Sequence, residues 1–136
     1  MSKRRLQIAI SCDGEAIPHR HFGDCPEFRI YEIFDDGTYR LLEKKLNTSP
    51  EERKHADKRK LKGVIGLLPG CEVVISGQLS PNFLRMRKGL PVQPSVTTAR
   101  DIESLMGILK DSFVTLFNLV TARRRGEYPA EIPTLG

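Results

Sequence analysis

Between residues 18 and 25 the chain reads Pro-His-Arg-His-Phe-Gly-Asp-Cys, which gathers His19, His21, Asp24 and Cys25 into one short stretch. Cys12 and Asp13 precede it, within Ser11-Cys12-Asp13-Gly14. Imidazole nitrogen and thiolate sulfur are good donors to iron, copper or zinc, whereas magnesium and calcium prefer oxygen. The residue types therefore point to a soft, thiophilic metal or an iron–sulfur pocket. No C-x-x-C or H-x-x-E-H pattern is present to fix a coordination geometry. The histidines are equally compatible with a loop in which they hydrogen-bond to backbone.

The elements that must position this stretch follow from periodicity. Leu6 to Ile10 alternates and is β-branched, predicting a first strand that ends at the turn pair Asp13-Gly14. Phe28 to Phe34 alternates apolar and polar residues, and Asp36-Gly37 closes a hairpin onto Tyr39–Leu46. Ser49-Pro50-Glu51-Glu52 has the cap, proline and reaching glutamate of a helix start, and the helix is expected to run to Leu68, stopped by Pro69-Gly70. Cys71 to Ser76 is almost wholly apolar, as in a strand covered on both faces. Ser80-Pro81 opens a short helix through Arg87, and Pro91 to Val96 forms a weaker last strand. Thr98 is expected to cap a third helix reaching Ala122, with Arg123 to Arg125 suiting its C-terminal dipole. The tail from Gly126 is expected to be mobile.

This β-β-β-α-β-α-β-α order predicts a three-layer α/β domain with a mixed five-stranded sheet. Ligands of such sheets bind beyond the C-terminal ends of the parallel strands, where strand order reverses. The loop after the first strand, with Cys12, Asp13, His19, His21 and Cys25, belongs to that edge. So do the first half of the first helix, with His55, and the loop Gly77-Gln78-Leu79-Ser80. The second helix is expected to point its positive end there. Cys71 begins a strand, belongs to the opposite edge, and is expected to be structural.

The 136 residues fit one domain, and the 39% hydrophobic and 29% charged fractions are those of a globular protein. No uninterrupted apolar run approaches the ~18 residues of a membrane span, and Leu6–Ile10 is too short for a signal-peptide core, so a cytoplasmic location is expected. Three cysteines cannot all pair within the chain, which favours reduced thiols. The net charge of +5, from 22 Lys and Arg against 17 Asp and Glu, favours anionic partners. Arg20, Lys54 and Lys58 are suited to an anionic cofactor, but they need no function as surface charge.

Ser11-x-Asp13-Gly14, His21-Phe22-Gly23 and Phe28-x-Ile30-Tyr31 resemble the dinitrogenase iron–molybdenum cofactor biosynthesis family. His55-Ala56-Asp57, Cys71-Glu72-Val73-Val74-Ile75-Ser76-Gly77 and Gly89-Leu90-Pro91-Val92 follow in the family's order. The resemblance covers about residues 5 to 110, giving a domain over 1–110 and a helical extension with a mobile tail over 111–136. It implies a ribonuclease H-like motif with the second and third strands as an antiparallel hairpin. It also implies a non-catalytic role in binding and delivering an iron–sulfur-type cluster, such as the iron–molybdenum cofactor or its precursor, to assembly or acceptor proteins. By resemblance His21 is the first choice of cluster ligand, Gly23 a backbone hinge and Phe22 packing. From their residue types and position Cys12, Cys25, His19 and His55 complete the candidate set, with Cys12 and Cys25 joining His21 as metal donors. Three features depart from the family pattern. Cys12 and Cys25 are additional soft ligands, the loop after the fourth strand lacks a second glycine near Ser80, and apolar residues Phe113 to Val120 continue the chain.

Other classes remain. A nuclease needs several carboxylates on paired metal ions, and only Asp13 and Asp24 are placed for it, so nucleic acid is not an expected partner. Nucleophilic catalysis by Cys25 with His21 needs a defined hydrogen bond that spacing does not show. A metal-free interaction module is the main alternative, acting through the C-terminal helix and Arg123 to Arg125, with a second copy of the chain as one partner. That apolar extension either packs on the domain or forms a partner surface.

Overall fold

The computed structural model describes residues 4–48 and 63–136. The strands are β1 (Arg5–Cys12), β2 (Glu27–Phe34), β3 (Tyr39–Leu46), β4 (Val73–Ser76), β5 (Gln93–Thr97) and β6 (Thr134–Leu135), with helices α1 (Pro81–Met86) and α2 (Ile102–Arg124). They build one mixed sheet in the order β3-β2-β1-β4-β5-β6. β2 runs antiparallel to β1 and to β3, while β1, β4, β5 and β6 are parallel. The β2–β3 hairpin turns at Gly37, whose φ of 90° suits glycine, with Gly37 N–H donating to the Phe34 carbonyl.

Alternation along the strands sends side chains to two cores. Leu6, Ile8, Ile10 and Cys12 of β1 join Tyr31, Ile33, Val73 and Ile75 beneath α2. Ala9, Phe28, Ile30 and Val74 face the other way, onto Phe83 and Met86 of α1 and onto Val64, Leu68 and Cys71. Ile102, Leu105, Met106, Leu109, Phe113, Leu116 and Val120 recur at helical spacing and are buried under the sheet. Each such side chain contributes about 1.5–3 kcal/mol by leaving water. The apolar extension therefore packs on its own domain, and α2 runs unbroken across residue 110. By length and composition α2 is apolar enough to cross a membrane, but its apolar stripe lies against the sheet. A count of consecutive apolar residues misses this, because polar residues interrupt the helix once per turn.

Several expectations are corrected. The sheet has six strands, not five, because the tail is ordered: Val96 N–H donates to the Pro133 carbonyl, and Thr98 N–H to that of Leu135, both at 3.1 Å. Leu135 is 3% exposed, and its burial anchors a strand too short to show periodicity. Thr98 is thereby engaged with β6, and Asp101 caps α2 instead, accepting from Ser104 N–H at 2.7 Å. At its other end α2 stops in a Schellman motif: Glu127 N–H donates to the Ala122 carbonyl and Gly126 N–H to that of Arg123. Arg123 is not a solvated dipole partner but is 2% exposed. Residues 63–66 are helical, within the helix expected over Ser49–Leu68; the helix ends two residues short of Leu68, and its expected part over 49–62, His55 included, lies outside the described residues.

Candidate functional site

Cys12, Ser76 and Thr97 end β1, β4 and β5 at one edge of the sheet, and strand order reverses between β1 and β4. The connection from β1 to β2, residues 13–26, crosses this edge and carries the candidate ligands. Its first part is stitched down on both sides. Asp13 and Ala16 exchange backbone hydrogen bonds of 2.9 and 3.1 Å, Gly14 N–H donates to Glu27 Oε1 at 2.7 Å, and Ile102 N–H donates to the Glu15 carbonyl. Arg29, buried on β2, donates to Glu15 Oε1 at 2.7 Å. Ile17 N–H donates to the Arg100 carbonyl, so the loop is fixed to the start of α2 before the histidines begin.

The middle part is held by β4. Ser76 Oγ donates to the Arg20 carbonyl at 3.0 Å. A Cβ on Gly77 would lie 2.4 Å from the Pro18 carbonyl oxygen and 2.8 Å from Arg100 Nη1, so the loops leaving β1 and β4 close on each other only over glycine. Phe22, Gly23 and Asp24 then form a single 3-10 turn. Phe22 is the plug of that turn, with ring centroids 4.8 Å from Phe28 and 5.4 Å from Phe83. Asn47, just past β3, donates through Nδ2 to the carbonyls of Gly23 at 2.6 Å and Cys25 at 2.8 Å. Gly23 is therefore clamped through its carbonyl.

His21 precedes the turn with a side chain 21% exposed and Nδ1 3.7 Å from Asp24 Oδ2. His19 Nδ1 lies 3.4 Å from Arg100 Nη2. A guanidinium only donates, so His19 accepts through Nδ1 and carries its proton on Nε2. That tautomer leaves His19 without a free nitrogen lone pair while the contact lasts.

The cysteines are less available than their position in the sequence suggests. Cys12 is wholly buried beneath α2, on the sheet face opposite to that of Ser11. Burial, aided by the Glu27 charge, pushes its thiol from 9.0 up to about 12. Cys25 is 2% exposed; burial raises its pKa too, partly offset by a hydrogen bond with the Ser11 side chain and by the charge of Arg20. Thiolate is the ligating form, so either thiol must lose a tightly held proton before it binds metal. Cys71 lies at the opposite edge, buried against Gln7, as expected of a structural residue. Among the described residues no group of three or more His, Cys, Asp and Glu side chains is arranged to hold a metal ion.

His19, His21 and Cys25 thus share one pinned loop, Cys12 turns away under the helix, and His55 lies outside the described residues. Gly77 lies at the edge where its loop was expected, whereas Arg100, Ser76 and Asn47, which also build the edge, were not anticipated as site residues. Gly77, directly after an apolar strand, carried a readable signal; Arg100 and Asn47 carried none, because tertiary contacts alone bring them here.

The sequence model of the family described as dinitrogenase iron-molybdenum cofactor matches residues 4–110, from the start of β1 into α2. No curated protein and no solved structure matches the chain.

Proposed function

The chain belongs to the dinitrogenase iron-molybdenum cofactor family, and from that premise we propose that it is a carrier for an iron–sulfur-type metal cluster. The cargo is the iron–molybdenum cofactor or a precursor, taken up at the edge where β1 and β4 leave the sheet and passed to an acceptor protein of cofactor assembly. The observation that carries this reading is the placement of His21: a partly exposed imidazole on a loop fixed by Ser76, Gly77, Phe22 and Asn47. A neutral imidazole is a good donor to iron, and a rigid loop presents it without the entropic cost of ordering a flexible one.

The role asks for ligation and release of the cargo rather than its chemical conversion, so no catalytic residue is assigned. It asks for attachment strong enough to shield the cluster and weak enough to release it. A histidine at the surface suits ligand exchange with an acceptor better than an enclosing cage of thiolates does. Cys25, beneath the same turn, is the reserve donor, engaged only when its proton leaves. The strand order β3-β2-β1-β4-β5, with β2 antiparallel, is compatible with a ribonuclease H-like motif, which supports the family reading of the fold.

The test is anaerobic gel filtration of the protein mixed with isolated iron–molybdenum cofactor, followed by metal analysis. Stoichiometric iron and molybdenum should co-elute with the wild type and be lost with His21→Ala. Equal metal retention by the variant would remove His21 from the site.

A further inference from the structure

We infer that Arg100 is the anion anchor of this edge, selecting cargo that presents a negatively charged face; this rests on the reading of the edge as the cargo site. Arg100 follows β5, and its guanidinium reaches across to the loop from β1. Nη1 donates to the Ile17 carbonyl at 3.4 Å and Nη2 to His19 Nδ1 at 3.4 Å. Both acceptors are neutral. The adjacent acid, Asp101, is committed to capping α2, with its two oxygens accepting from Ser104 N–H at 2.7 Å and Ser104 Oγ at 3.0 Å.

Arg4, Arg5, Arg29, Arg40, Arg124 and Arg125 each meet a carboxylate within ion-pair distance. Among the described residues Arg20, Arg85, Arg87, Arg100 and Arg123 meet none, and of these Arg100 is the one whose guanidinium is held against the loop that carries His19 and His21. It is thus an exposed cation held in place by neutral groups, at the point where the loops from β1, β4 and β5 converge. Two of its five N–H groups are engaged and the rest are free to donate. Such a fork suits an anion with several acceptor atoms, for example a thio- or oxo-metallate or the sulfide rim of a cluster. Gly77, whose missing side chain leaves room for Nη1, keeps the guanidinium close to the backbone of the loop it crosses.

The experiment uses the full chain under anaerobic conditions with two separate probes, tetrathiomolybdate as a molybdenum–sulfur anion and cobalt(II) as a cation reporting on His21. Arg100→Gln should weaken tetrathiomolybdate binding about tenfold or more and flatten its dependence on salt between about 50 and 300 mM. Arg100→Lys, which keeps the charge but not the fork, should fall between the wild type and Arg100→Gln and keep the wild-type dependence on salt. The wild type should bind cobalt, and His21→Ala should lose it. Wild-type affinity for the anion in Arg100→Gln overturns the proposal, as does an Arg100→Lys variant that falls as far as Arg100→Gln, which would make the residue a brace. Absence of anion binding by the wild type also overturns it, while His21-dependent cobalt binding would leave the metal-site reading standing. If Arg100→Gln does not fold, the wild-type salt series and Arg100→Lys decide: salt-independent anion binding, or loss of binding with the charge retained, overturns it.

Discussion

Replacing Arg123 by methionine should loosen the C-terminal third of the molecule by an amount that can be worked from its contacts. The guanidinium is 2% exposed and ties three segments together. Nε donates to Gln93 Oε1 at 2.7 Å, Nη1 to the carbonyls of Leu90 at 2.9 Å and Met86 at 3.3 Å, and Nη2 to that of Pro129 at 3.2 Å. The two short bonds from a charged donor are worth about 1.5–3 kcal/mol each, and the longer pair about 0.5–1 kcal/mol each. Against them stands the cost of burying a cation whose acceptors are all neutral, which also lowers its pKa. Methionine removes that cost but leaves Gln93 Oε1 and the carbonyls without their donor. The net loss should be about 2–4 kcal/mol, or roughly 6–20 °C in Tm for a domain of this size. Urea titration gives the free energy, and limited proteolysis should show cleavage within residues 127–133 well before global unfolding. Arg123→Lys, keeping one or two of the bonds, should fall between. A methionine variant within about 0.5 kcal/mol of wild type, with its tail still protected, would refute the reasoning.

Three further outcomes follow from the same contacts. Gly77→Ala forces a Cβ to 2.4 Å from the Pro18 carbonyl, so it should cost about 1–3 kcal/mol and abolish cluster retention by parting the two loops, read by melting and metal analysis together. Asn47→Ala frees the carbonyls of Gly23 and Cys25; it should cost about 1–2 kcal/mol and speed hydrogen exchange around His21 while leaving β1 protected. The Cys12 thiol holds its proton more tightly folded than unfolded, so its stabilisation is complete below pH 9.0 and is lost as pH rises from 9.0 towards about 12. Up to about 1.4 kcal/mol per pH unit should disappear across that window. In reduced protein, urea titrations at about pH 8 and pH 10 should show a smaller difference for Cys12→Ala than for wild type.

Local chemistry made much of this fold readable. Asp36-Gly37 between alternating segments specified the β2–β3 hairpin, and Ser80-Pro81 specified α1, where Ser80 Oγ accepts from Phe83 N–H. The serine in place of a second glycine in that loop is a helix cap. The placement of Cys71 away from the histidines also followed from strand direction. What local chemistry did not show is what distant segments share. The choice of Asp101 over Thr98 as cap depends on β6 claiming Thr98, and β6 depends on a leucine fifteen residues beyond the last apolar core position of α2, Val120 and Leu135 being separated by a proline-containing turn. Arg123 sits in a run of three arginines that looks like a solvated helix end, yet only its neighbours face water. The burial of Cys12 was legible in principle, since alternation with Leu6, Ile8 and Ile10 puts it on the α2 face. Its nearness in sequence to the histidines carries the opposite and weaker signal.

The most direct test of the central claim is whether an imidazole nitrogen of His21 bonds to the cargo. Pulsed electron paramagnetic resonance of the wild type loaded anaerobically with isolated iron–molybdenum cofactor should show coupling to a histidine nitrogen. That signal should vanish in His21→Ala and persist in His19→Ala. No nitrogen coupling in the loaded wild type, or the same coupling after loss of His21, would contradict the account.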